Sequence, residues 1–243
     1  MIVIKYYKKL KEGNMAKIKN PFKDLTIFER VLYICSVSLV LLSFIISPEK
    51  SVLSLLASLV GVTALIFIAK GYVIGQIFII IFAILYGTVS FLQGYYGEVM
   101  TYGFMSAPMA VVSIISWLKH PYEGSKTVKV NKLKWYHLVI MVVLTAIVTV
   151  TFYFILGALG TASIYVSTLS VATTFASVYL TFLRSPYYAI GYFFNDIVLI
   201  TLWIIASIKD PSRISMVICF AVFMANDLNG FISWKRMQKR QRS

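Results

Sequence analysis

Eight apolar stretches, each about twenty residues long and separated by polar breaks, set the pattern of this chain. They run over 28–47, 51–69, 72–93, 97–118, 134–157, 161–183, 187–207 and 211–235. An apolar helix of about twenty residues crosses a bilayer core. In lipid every backbone amide and carbonyl must be satisfied within the protein, so each stretch is expected to be a helix and no sheet is expected. Most connections are only a few residues, which makes successive helices antiparallel neighbours. The exception is the polar loop from Lys119 to Lys134. The predicted fold is an all-α integral membrane protein with eight spans.

The Lys and Arg positions orient it. With the N-terminus in the cytosol, twenty of the 23 fall on the inner side, against Lys50, Lys209 and Arg213 outside. Basic residues accumulate in cytosolic loops, so both termini are expected inside. The net charge of +14 then reads as topology, and no nucleic-acid partner is expected. Composition agrees: 59% of residues are hydrophobic and 13% charged, whereas soluble domains carry about 25% charged residues. Residues 1–27 form a basic tail, 119–133 a basic loop and 236–243 a second basic tail. Ile2, Val3, Ile4, Tyr6, Tyr7 and Leu10 could form a short interfacial helix on anionic lipid. A loose cytosolic tail and a true start at Met15 are the alternatives. No early apolar core ends in small residues, so no cleavable signal peptide is expected. Cys35 and Cys219 lie singly in apolar stretches, and His120 and His137 have no partner at ligand spacing. No metal or cofactor is expected.

The pattern also repeats. Tyr-x-Ile-Gly opens the third stretch at Tyr72 and the seventh at Tyr188, an offset of 116. Trp117-Leu118-Lys119 and Trp234-Lys235-Arg236 close the fourth and eighth, an offset of 117. Stretches 2–4 and 6–8 start on the same side of the membrane. They predict two parallel three-helix bundles, 51–118 and 161–235, with 134–157 as an inverting linker and 28–47 as an addition. A solute site between such repeats is a transporter architecture. Trp117 and Trp234 are expected to anchor the inner interface.

Polar residues inside the spans are the candidates for chemistry, because an ionisable group there is costly and usually faces a cavity or a partner. Asn195 and Asp196 sit in the seventh stretch. Tyr188, Tyr192 and Trp203 share their helix face by three- and four-residue spacing. Asn226 and Asp227 form a second cluster in the eighth, with Asn229 and Gly230 beside them. Both Asp residues lie roughly 12–13 Å from the cytosolic end of their helices, from a rise of about 1.5 Å per residue. In the first bundle Gln76, Tyr86, Ser90 and Gln93 line one stripe, and Gly103, Ser106 and Pro108 are placed to kink the fourth span. Structural readings compete. Asp196 could bond a helix backbone or a Tyr, Asp227 could cap near the inner boundary, the tyrosines could be packing, and Trp203 could anchor the outer interface. The sixth stretch is rich in Ser and Thr, which more often mediate helix packing. Carboxylates with facing aromatic rings favour a flat organic cation. Asn and Gln amides suit hydroxyls and a carboxamide.

Three segments, SPYYAIGYFFNDIVLITLW, ANDLNGFISWKRMQKRQ and GYYGEVMTYGFMSAPMAVVSIISWLKHPY, resemble the PnuC-type nicotinamide riboside transporter family in its Gram-positive form. The resemblance covers roughly residues 51–240. It implies a SWEET-like fold of two bundles and a linker helix in a bacterial cell membrane. It also implies uncoupled facilitated diffusion of nicotinamide riboside, an NAD precursor, with trapping by a cytosolic nucleoside kinase. The family's pattern Trp-x-x-Trp-x-x-x-Asn stands here as Ala189-x-x-Tyr192-x-x-x-Asp196 or as Tyr188-x-x-Gly191-x-x-x-Asn195. Related folds carry thiamine, riboflavin or deoxynucleosides, so another vitamin or nucleoside is the alternative cargo. A membrane enzyme would need a nucleophile, metal cluster or phosphate grip, and neither Asp pairs with one. A non-transporting receptor and a homo-oligomer stay open.

Overall fold

The computed structural model describes residues 21–48, 50–123 and 125–242. The interfacial helix, loose tail and alternative start considered for residues 1–20 lie outside them. The eight expected spans are eight helices. They are α1 (Ile27–Ile46), α2 (Val52–Ala69), α3 (Val73–Leu92), α4 (Tyr96–Lys119), α5 (Trp135–Ala158), α6 (Ile164–Phe182), α7 (Tyr188–Lys209) and α8 (Ile214–Arg240). Among the described residues only two isolated bridges, Tyr72 with Thr127 and Pro121 with Val128, have extended pairing.

Each helix boundary has a local cause. Thr26 caps α1: its hydroxyl accepts from the Glu29 amide (3.3 Å), and its own amide donates to the Glu29 carboxylate (2.7 Å). Such a reciprocal cap satisfies two amides that would otherwise be orphaned. Glu29 also pairs with Lys70 (2.6 Å), which ties the start of α1 to the end of α2. The expected kink in α4 takes the form of a π-helical turn at Thr101–Ser106. Pro108 follows it, and a residue without an amide hydrogen frees a carbonyl one turn back.

The repeat is real in three dimensions. The ends of α2 and α6 close the same way: the Tyr72 amide donates to Phe67 O and the Ser185 amide to Leu180 O, both at 3.0 Å. Gly71 and Arg184, each one residue earlier, take left-handed backbones (φ 69° and 56°). Gly75 and Gly191 then let the next helix approach. A Cβ on Gly75 would sit 2.7 Å from the Ile68 amide nitrogen, and one on Gly191 would sit 3.2 Å from Ser177 Cα. Within the bundles α2 packs on α3 and α3 on α4, as α6 does on α7 and α7 on α8. Between them α2 meets α8 and α4 meets α6, which is the pair of seams a two-fold axis along the membrane normal requires.

The two remaining helices lie outside this core. The linker α5 packs on α6 and buries only Leu156, so nearly all of its surface is left for lipid. The additional helix α1 packs on α2 and α8, held by Tyr33 to Thr63 (3.0 Å) and by Asn226 to Ser36 (2.9 Å). The loop after α4 is a clasp. Val128 N donates to Gly71 O (3.0 Å), Asn131 N to Arg184 O (3.0 Å) and Val130 N to Gln241 Oε1 (2.7 Å), linking both bundles and the C-terminal helix on the cytosolic face.

Gly75→Ala and Gly191→Ala should each destabilise the detergent-purified protein, because overpacking a close contact costs about 1–3 kcal/mol. Gly87→Ala meets open space and should be neutral or stabilising. Thermal melting of the three variants checks this; equal melting would remove close approach as the reason for the two glycines.

Candidate functional site

From the cytosolic side inward, the first closure is a tryptophan pair. Trp117 of α4 and Trp234 of α8 pack at a tilt, 5.4 Å between ring centres. Trp117 Nε1 donates to Thr181 O on α6 (3.1 Å), and Trp234 Nε1 donates to Ile68 O on α2 (2.8 Å). Each ring therefore reaches across a seam to the other bundle. They are not the interfacial anchors expected from their position: their exposures are 1% and 0%. A satisfied indole N–H at the end of a helix made them better seam residues than lipid-facing ones.

Above this pair Tyr188 packs edge-on against Trp234 (5.0 Å), and Tyr192 follows it one turn on (6.2 Å). Gly230 leaves room for the Tyr188 hydroxyl, which would lie 3.0 Å from a Cβ there. Next come the carboxyl groups. Asp196 from α7 and Asp227 from α8, expected at equal depth, face each other within hydrogen-bond reach. Both are buried, and Asp196 Oδ2 has no hydrogen-bond partner. They line a cavity of about 40 Å³ with Asn195, Tyr188, Tyr192, Phe82, Tyr102 and Phe223. No Lys or Arg lies within the apolar body of any span.

The outer closure is aromatic. Trp203 Nε1 of α7 donates to the Tyr86 hydroxyl of α3 (2.9 Å), across the bundle interface. Tyr86 also meets Tyr102 (4.6 Å) and Phe220 (5.5 Å), and Phe82 meets Tyr102 and Phe223 (5.5 and 5.4 Å). Tyr95 covers Trp203 from outside (5.2 Å). Arg213 donates to the Tyr95 hydroxyl (3.2 Å) and to Asp210 (3.0 Å). Hydrogen bonds from Ser212 and Arg213 hold the Asp210 carboxyl below its usual range.

Of the ten candidates read from the sequence, the structure gathers Tyr188, Tyr192, Asn195, Asp196 and Asp227 around the cavity. Tyr86 and Trp203 form the layer above it. Asn195 uses its carbonyl to accept from Thr173 (2.8 Å) and Thr174 (2.9 Å), which gives two residues of the Ser/Thr-rich α6 a packing role. Asn226 turns towards α1, donating to Ser36 Oγ and Val222 O, both at 2.9 Å. Gln76 is buried in α3 outside the cavity wall, and Gln93 sits at the outer end of α3. Sequence reasoning passed over Phe82, Tyr102 and Phe223. Phe82 lies beside the Gln76–Tyr86 stripe, and Tyr102 lies one turn before Ser106, so helical spacing pointed to both.

With this geometry in place, comparison with known proteins decides the family. The profile of the nicotinamide mononucleotide transporters matches residues 51–236. The chain belongs to that family. Members of such a family are transporters rather than enzymes, and the eight apolar helices make this one a multi-pass membrane protein. It is 24% identical over 241 residues to the nicotinamide riboside transporter PnuC of Neisseria mucosa, covering 96% of this chain and 91% of that protein. It is 23% identical over 200 residues to the PnuC of Haemophilus influenzae, covering 82% and 85%. The crystal structure of the vitamin B3 transporter PnuC superposes with a TM-score of 0.79 at 24% identity, over 89% of this chain and 94% of that one.

Asn226→Ala should loosen α1 and lower the melting temperature, since losing one buried hydrogen bond costs about 1 kcal/mol. Solute affinity should change less than twofold. A tenfold loss of affinity at unchanged melting would instead make Asn226 part of the site.

Proposed function

We propose that this chain takes up nicotinamide riboside by facilitated diffusion, the solute binding between the two bundles. The observation that carries the reading is the facing pair Asp196 and Asp227, walled by aromatic rings in a membrane interior without side-chain cations. Taking an ion out of water costs several kcal/mol, and an unpaired buried charge is poorly tolerated. Two carboxyls within hydrogen-bond reach share a proton, and a cationic solute would meet the one negative charge that remains. The pyridinium of nicotinamide riboside is flat, so Tyr188, Tyr192, Tyr102 and Phe82 can stack on it. Asn195 offers an amide for a hydroxyl or carboxamide. The names of the relatives, nicotinamide riboside transporters, support the same cargo.

The cavity of about 40 Å³ is far below the roughly 300–1,000 Å³ of small-molecule sites. Loading therefore needs one aromatic closure to part, as expected for bundles that rock about a central site. Downhill carriage accumulates solute only if the cytosol removes it. A nucleoside kinase, by adding a phosphate, would do that, and it is the partner this mechanism needs. Asp196 and Tyr192 in place of the family's Asn and second Trp favour a second reading, in which thiamine or a deoxynucleoside is carried by the same fold. Thermal shift with each compound separates the cargoes.

In proteoliposomes without an ion gradient, labelled nicotinamide riboside should equilibrate. Entry only under a proton or sodium gradient would overturn the uncoupled mechanism. Asp196→Asn should weaken the cation at least tenfold and its neutral dihydro form much less, because charge is lost and size kept. Equal loss for both forms would make Asp196 structural. Tyr192→Ala should likewise weaken binding, and unchanged affinity would leave Tyr192 as packing.

A further inference from the structure

Glu98 is a carboxylate that the site above does not use. It sits in the first turn of α4, at the outer end of the span, and its exposure is 0%. Neither of its carboxylate oxygens has a hydrogen-bond partner. The side chain of Ser170 on α6 lies beside it, and Tyr86 and Tyr102 are close enough to feel its charge. The hydroxyls of Ser170 and of Ser90 on α3 are buried and unpartnered as well. Four buried oxygen atoms from three helices thus make no close hydrogen bond, with Ser170 the polar side chain beside Glu98 and Ser90 beside Tyr86, although nearly all buried polar groups in native proteins are paired. Arg213, which reaches Tyr95 at the outer end, is committed to Asp210 and Tyr95. Tyr102 follows Glu98 by one helical turn, packs on Tyr86 and lines the cavity with Asp196, which links the outer carboxyl to the central pair through the Tyr86–Tyr102 layer.

We propose that Glu98, with Ser90 and Ser170, is a second solute station: it receives a flat organic cation from the outer side before the cation passes Tyr86 and Tyr102 to Asp196 and Asp227. This rests on the reading of the protein as a carrier of such a cation. The carboxylate supplies the counter-charge, and the two hydroxyls accept or donate to a sugar hydroxyl. The Tyr86 ring, held by Trp203, gives the cation a face to slide past. An intramembrane carboxyl with only a serine hydroxyl beside it is otherwise hard to account for. Two stations in series also keep the cation from facing a bare apolar barrier as the outer layer opens.

The test compares Glu98→Gln with the wild-type protein in proteoliposomes and in detergent. Uptake of nicotinamide riboside, read as Vmax/KM, should fall at least tenfold, while uptake of its neutral dihydro form stays within about twofold. Equilibrium affinity of the purified variant should stay within about twofold, because the central site is intact, whereas Asp196→Asn loses both affinity and uptake. Glu98→Asp, which keeps the charge, should restore most of the uptake. Unchanged cation uptake, equal loss for both forms, or a loss of affinity as large as the loss of uptake would overturn the second station. If Glu98→Gln does not fold, Ser170→Ala carries the comparison, with a several-fold loss of cation uptake expected and none overturning the proposal. A wild-type protein that does not prefer the cation to the neutral form overturns the cation reading itself. That outcome is seen before any variant is compared.

Discussion

A carboxylate pair held in the middle of a membrane protein, with no basic side chain to meet it, is the constraint around which this structure is arranged. Desolvating such groups is expensive, and hydrocarbon offers nothing in return. The chain therefore has to hold Asp196 and Asp227 where lipid cannot reach them, and both are buried on the wall of the central cavity. The two seams, α2 on α8 and α4 on α6, do this by enclosing the pair between bundles. The cavity that remains, about 40 Å³, has space for about one water molecule. The layers that close it above and below are aromatic, Tyr86, Tyr102 and Trp203 on one side and Trp117 and Trp234 on the other.

The closures and the site treat the internal repeat in opposite ways. The closures keep it. Trp117 and Trp234, at an offset of 117, make mirrored bonds to Thr181 O and Ile68 O. Tyr86 and Trp203, also 117 apart, bond each other. Gly75 and Gly191 set the same close approach in both bundles. The site breaks it. Ile79 and Ile80 stand 116 residues before Asn195 and Asp196, and Ala110 stands 117 before Asp227. Two-fold symmetry is useful for a door that must shut the same way from both halves. It does not extend to the polar residues of the central cavity, whose walls are unlike in the two bundles.

Much of this was legible from residue order, because membranes impose simple rules. Span positions followed from apolar length, orientation from Lys and Arg, and the bundles from two short matches. Asp196 and Asp227 were found by their cost in lipid, and their equal depth by counting rise per residue. Other features depend on which way a helix is turned, and a period cannot fix that to within one residue. Asn226 sits beside Asp227, yet one step of about 100° carries its side chain to Ser36 on α1. Trp117 and Trp234 looked like belt residues because sequence shows their depth and not the seam beside them. Glu98 was passed over because it lies second in its span, where a carboxylate reads as interfacial; only packing shows that α3 and α6 bury it.

The way the closures are built bears on how they can open. Each joins one bundle to the other: Trp117 and Trp234 below, Tyr86 and Trp203 above. The four indole and phenol groups have only two direct hydrogen bonds to carbonyls and one to each other across this interface, each worth about 1 kcal/mol net. That is small beside the several kcal/mol that hold a domain together. The π-helical turn at Thr101–Ser106 in α4 carries Tyr102, which lines the cavity and packs on Tyr86 of the outer layer. Its counterpart in α8 is a regular helix. A wide turn in only one bundle lets α4 bend where α8 stays straight, so the outer layer is the one whose opening can be local rather than a movement of the whole bundle.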